Sequence, residues 1–220
     1  MNSFQEVLTN VLPVVLMSLR VSITSSIIAS IIGISLGIVA ALKEFKLKGA
    51  LIRIADTLMS LPPVLMGLLV YLLLSRSGPL GSLKLLFTPT AMIIAQSLLI
   101  LPIVFGLTTA YFSKSTEEIR KVCISLGASK KDMLLAILSE SRSYVMSILA
   151  VAFGRAISEV GAVMMVGGNI KGHTRVMTTY IALETGKGNF MEAIIIGLIL
   201  LSISFVINFI LNAFKESSEI

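Results

Sequence analysis

The sequence predicts an all-α integral membrane domain of about five transmembrane helices, with a cytoplasmic helical loop between the third and the fourth. Three observations predict it: 55% of the residues are hydrophobic and only 14% are charged, the mean hydropathy is +0.96, and apolar runs recur from end to end. Soluble domains carry roughly a quarter charged residues. No segment here is polar enough to surround a separate aqueous core, so residues 1–220 are read as one membrane domain.

A hydrocarbon core about 30 Å thick needs roughly 20 apolar residues at 1.5 Å each. Runs of that kind lie near 12–42, 51–75, 89–112, 143–167 and 191–214. The opening "MNSFQEVLTN" has no basic stretch and no small-residue cleavage site, so the first run is expected to stay in the mature protein. If Val21–Leu42 spans the core, Arg20 falls at the far interface and anchors there by reaching the headgroups or water. In the second run Pro62 and Pro63 remove two backbone donors and push Leu61 out of the α region, so that span should break or kink. Pro102 should kink the third.

Basic residues set the orientation. Eleven fall in the connections on one side (Lys43, Lys46, Lys48 and Arg53, then Lys114, Arg120, Lys121, Lys130, Lys131 and Arg142, then Lys215) against five on the other (Arg76, Lys84, Lys171, Arg175 and Lys187). The richer side is expected to be cytoplasmic, with the N-terminus outside and the C-terminus inside a multi-pass protein of the cytoplasmic (inner) membrane. Scattered in this way, the net charge of +6 reflects topology, and no nucleic-acid partner is expected.

The loop at about 113–142 is therefore cytoplasmic. "STEEIRKVCIS" (115–125) predicts a helix with Ser115 as N-cap and Glu118 completing a capping box. Gly127 turns the chain, and Ser129 caps a second helix, 130–138, whose Met133, Leu134 and Ile137 sit beside Lys130, Lys131 and Asp132. Such a pair either lies on the inner leaflet, held by its lysines, or fits a groove on another protein.

With Gly127 and Ile137 at their observed spacing and "LGAS" (Leu126, Gly127, Ala128, Ser129) around the glycine, the loop resembles the coupling loop of the membrane subunit of binding-protein-dependent ATP-binding cassette importers. Lys121, Val122 and Cys123 stand where that loop has Glu-Ala-Ala, and Ser139 and Glu140 where it has Leu-Pro. "LPPVLMGLLVYLLL" (61–74) and "GRAISEVGAVMMVGGNIKGHTRVMTTYIALE" (154–184) resemble the molybdate and tungstate branch, the second stretch most of all its tungstate-type members. The resemblance implies a permease that imports an oxyanion, tungstate first, with molybdate, sulfate or another oxyanion as alternatives. It also implies a second copy of this chain, two cytoplasmic ATP-binding subunits that hold ATP and Mg²⁺, and an external oxyanion-binding protein. On this reading Glu118, Lys121, Leu126, Gly127, Ala128, Ser129, Lys130, Lys131, Met133, Leu134 and Ile137 are candidates for coupling to the ATPase.

Other candidates come from the spans. Arg155 and Glu159 stand one turn apart in the fourth run; ionisable groups at that depth pair with each other or face a wetted cavity. Together with Pro62 and Pro63 they are candidates for a translocation path. In "GGNIKGHTR" (167–175), Asn169, Lys171, His173 and Arg175 are candidates for an outer gate or a docking surface for the binding protein; that surface, or a plain turn, is favoured over an oxyanion site. A lone His173 and a lone Cys123 give no metal site and no disulfide. The chain has no G-x-x-x-x-G-K-[ST] run, so it is read as a transport subunit without a nucleotide site or other cofactor of its own. The rival from another class is a pore-less membrane scaffold or an intramembrane enzyme; no nucleophile, base and metal ligands cluster in the spans to support the enzyme.

Overall fold

The computed structural model describes the backbone of residues 2–216, and side chains from Val11 to Phe214 except Ser115, Thr116, Glu118, Arg120, Lys130, Leu134 and Leu138. The described residues form helices and no strand. α1 (Asn2–Leu42) and α4 (Pro89–Ser125) are the long central pair. Ser25 Oγ donates to Gln96 Oε1 at 2.7 Å, Ser97 Oγ to the Ser25 carbonyl at 3.3 Å and Thr109 Oγ1 to the Gly37 carbonyl at 3.4 Å. The partners stay 71 or 72 residues apart in sequence, so the two helices run parallel and the chain must recross between them. Two glycines allow the approach: a Cβ on Gly33 would lie 2.8 Å from Val104 Cγ1, and one on Gly37 2.6 Å from Thr108 Cβ. Helices in lipid associate through such small residues because burying apolar surface gains nothing there.

The return crossing is broken where the prolines require it. α2 (Lys48–Met59) and α3 (Pro63–Leu74) meet at 106° across residues 60–62. α2 packs Ala55 against Ala40 and Phe105, while α3 carries the chain onward. The second run is thus not one straight helix. The fourth run is also divided: α6 (Arg142–Ile157) stops at Ser158, and α7 (Gly161–Gly167) follows. At 16 residues α6 is about 24 Å long, short of the hydrocarbon thickness. α3 and α7 pack tightly, because a Cβ on Gly67 would lie 2.7 Å from Ala162 Cα and one on Gly161 2.6 Å from Val64 Cγ2. α8 (Met177–Gly186) is a short helix, buried over its first turn, that no apolar run announced. α9 (Phe190–Glu216) lies outermost, with Leu201, Phe205 and Phe209 turned outward as lipid requires.

The helix expected at 115–125 is not separate. α4 runs unbroken from Pro89 through Pro102 to Ser125, so Ser115 caps nothing; its side chain and that of Glu118 lie outside the described residues. The real cap of α4 is Thr88, whose hydroxyl accepts from the Ala91 N–H. α5 (Lys130–Glu140) begins as expected: Ser129 accepts from the Asp132 N–H and Asp132 Oδ2 accepts from the Ser129 N–H, a complete capping box.

Candidate functional site

A seam of buried hydroxyl and amide groups runs between α1 and α4. Ser18, Ser22, Ser25, Ser26 and Ser30 on α1 face Gln96, Ser97, Thr108 and Thr109 on α4, all buried. Several of these hydroxyls bond to their own helix, as Ser18 to Val14 and Ser26 to Ser22. Gln96 instead joins three helices, because its carbonyl accepts from Ser25 and its amide donates to the Ala156 carbonyl on α6. Where Ser18, Ser22, Gln96, Glu159 and Thr178 converge, a cavity of about 10 Å³ remains, close to the least that holds one water. A tetrahedral oxyanion does not fit there, so at this point the seam is a polar joint and not a passage.

Glu159 sits at this joint and is only 4% exposed. Its expected partner is absent: among the described residues no carboxylate lies within 4 Å of the Arg155 guanidinium. The two do not share a helix face, because α6 ends between them. Arg155 is half-buried in the last turn of α6, where a cation complements the helix dipole. Glu159 Oε1 accepts from the Ala162 N–H at 3.0 Å, satisfying a donor that the break sets free, and its carbonyl accepts from Thr178 Oγ1 at 2.7 Å. Ser18 Oγ accepts from the Met177 N–H at 2.7 Å. The start of α8 is thus stitched both to the broken span and to α1. Pro62 is exposed and Pro63 half-buried at the other break.

The loop at 168–176 is internally ordered. Gly168, Asn169 and Gly172 have positive φ, and the N–H groups of His173, Thr174 and Arg175 all reach the Ile170 carbonyl. Asn169 Oδ1 accepts from Arg175 Nε at 3.1 Å and from Thr179 Oγ1 at 3.0 Å, while the Arg175 guanidinium lies 5.1 Å from the centre of the Tyr180 ring. Asn169 and Arg175 therefore hold the loop's shape, whereas Lys171 and His173 are exposed. Beside the loop, burial and a hydrogen bond to Glu192 push the Tyr180 hydroxyl up to about 12. Hydrogen bonds from Lys187 and Asn189 hold Glu184 below the usual carboxylate range.

At the other end, Gly127 turns α4 into α5 with φ +69°. No atom lies within 4 Å of where its Cβ would stand, so the turn and not crowding demands glycine. Leu126 is 78% exposed, and Val122, Ile124 and Leu135 are exposed too. Lys121 is solvated and 3.4 Å from Glu117; Ala128, Ser129 and Lys131 are exposed, Met133 is half-buried, and Ile137 is buried in the fold. The side chains of Lys130 and Leu134 lie outside the described residues. Sequence reasoning missed Val122 and Leu135 as surface knobs and Gln96 as a joint, although an amide inside a long apolar run is a visible signal.

Residues 33–218 match the family described as "Binding-protein-dependent transport system inner membrane component". The chain is 47% identical to the tungstate uptake system permease protein TupB of Peptoclostridium acidaminophilum over 82% of this chain and 79% of that one. It is 42% identical to the TupB of Campylobacter jejuni (79% and 73%) and 37% identical to a probable anion ABC transporter permease protein of Haloferax volcanii (81% and 79%).

Proposed function

The chain belongs to the inner membrane components of binding-protein-dependent transport systems, and on that premise we propose that it passes tungstate across the cytoplasmic membrane, driven by ATP hydrolysis on a partner subunit. ATP and Mg²⁺ sit on that partner, and this chain supplies no catalytic group. The observation that carries the coupling role is the corner at Gly127, where Leu126, Val122, Ile124 and Leu135 expose apolar side chains beyond the apolar stretch of α4, which ends at Lys114. A groove on the ATPase would cover them. The seam between α1 and α4, no passage at its joint, supports a path formed with a second copy of the chain, opened and closed as the helices rearrange. The eleven-to-five charge distribution supports a corner facing the cytoplasm and a 168–176 loop facing outside.

Reconstitution with the cognate ATPase and binding protein tests this. Leu126→Asp should leave insertion intact while ATPase association and ATP-driven tungstate uptake collapse; normal uptake by that variant would sink the coupling role. Single cysteines at Ser129 and Asn169, in a Cys123→Ser background, should react with an impermeant reagent from opposite sides.

A further inference from the structure

Arg20 lines a groove of about 250 Å³ between α1 and the 168–176 loop, together with Leu16, Met17, Gly172, His173 and Arg175. Two guanidiniums and an imidazole thus meet around one opening, and no carboxylate is among its described lining residues. Guanidiniums stay charged at any physiological pH, and an imidazole offers an N–H in either protonation state. Arg20 and His173 are exposed, and neither has a carboxylate within 4 Å among the described residues. Arg175 is held in place: its Nε and one terminal nitrogen donate to Asn169, at 3.1 and 3.3 Å, and Tyr180 lies beneath it. Among the described residues no hydrogen bond is made by its other terminal nitrogen. The nearby carboxylates are engaged elsewhere, Glu192 by Tyr180 and Glu184 by Lys187 and Asn189. Glu184 lies near enough to feel Arg175 but does not line the groove, so the cations gathered there repel in part, and an anion relieves that repulsion. The volume is below the roughly 300–1,000 Å³ of sites that enclose drug-sized molecules, which suits a small ion.

We propose that this groove binds a tetrahedral oxyanion, with Arg20 and Arg175 as its two guanidinium clamps and His173 as a third donor. The chemistry is shared by the free oxyanion and by the phosphate of an anionic lipid; only the identification of the free ion as the carried one rests on the transport reading.

His173 is the chain's single histidine, which makes it a reporter. The permease–ATPase complex in phosphatidylcholine nanodiscs is treated with diethyl pyrocarbonate, and carbethoxylation of His173 is followed by peptide mass spectrometry. Tungstate at ten times its dissociation constant should slow modification about tenfold, by mass action, while chloride at equal ionic strength does not. A parallel arm in phosphatidylglycerol nanodiscs without tungstate asks whether a headgroup phosphate protects instead; protection in either arm supports the site and names its source. Arg20→Gln should raise the protecting concentration about tenfold, the worth of one charge-assisted contact, whereas Arg20→Lys retains most of the protection. Absence of protection in both arms, or protection unchanged in Arg20→Gln with wild-type thermal stability, overturns the proposal. ATP-driven uptake by the wild-type complex is measured separately, so a failed transport reading would not be mistaken for a failed site.

Discussion

The two broken crossings are interrupted by different chemistry. Between α2 and α3 the break is imposed from the backbone: Pro62 and Pro63 have no N–H to leave unsatisfied, and Pro63 stands at the first turn of the new helix, where its fixed φ fits. Between α6 and α7 there is no proline. Ser158, Glu159 and Val160 interrupt the helix, and the Glu159 carboxylate takes up the Ala162 N–H. A break in lipid is tolerated only when the freed backbone groups find partners. One crossing removes the donors, the other answers them, and the two resumed helices then pack face to face through Gly67 and Gly161.

The largest effect should come from the surface the breaks share. Gly67→Val puts a side chain 2.7 Å from backbone that cannot swing aside, and overpacking of this kind costs about 3 kcal/mol. Loss of the folded complex in detergent would report it; wild-type thermal stability would mean that α3 and α7 separate easily. Next is the answered break. Glu159→Leu leaves the Ala162 N–H buried without an acceptor, a loss of about 2 kcal/mol, whereas Glu159→Gln keeps a carbonyl there and should retain most of that stability. Thermal unfolding of both variants separates a capping role from a charge role. Gly127→Ala should cost about 1 kcal/mol through its positive φ alone, with Gly127→Asn milder; a loss beyond about 3 kcal/mol would mean that something crowds the turn. The smallest expected signal is the coupling between Arg155→Gln and Glu159→Gln. With no ion pair between them the two should add within about 0.5 kcal/mol, and a double variant more stable than the Glu159 single would restore the pair.

The first break could be read from the sequence because proline acts locally, and so could the cap at Ser129 and the turn at Gly127. The second could not, since Arg155 and Glu159 are spaced as neighbours on a helix face and only tertiary partners, Thr178 and the Ala162 N–H, reveal that the helix has ended. Ser115 and Glu118 misled for the opposite reason. A capping-box pattern is also compatible with a helix interior, and "KSTEEIRKV" has enough good helix formers that α4 continues through it. The groove at Arg20 was out of reach, because its residues lie more than 150 positions apart.

The steady offset between α1 and α4 has a mechanical meaning. Two helices pinned at Ser25–Gln96, Ser97–Ser25 and Gly37–Thr109 cannot slide without breaking all three links, so any tilt of one would carry the other with it as one beam. α4, 37 residues and about 55 Å long, extends past that pinned stretch to the Gly127 corner. Rotation of the beam by about five degrees carries one of its ends by roughly 5 Å over such a length. A push of modest size at the corner would thereby become a lever stroke at the opposite face.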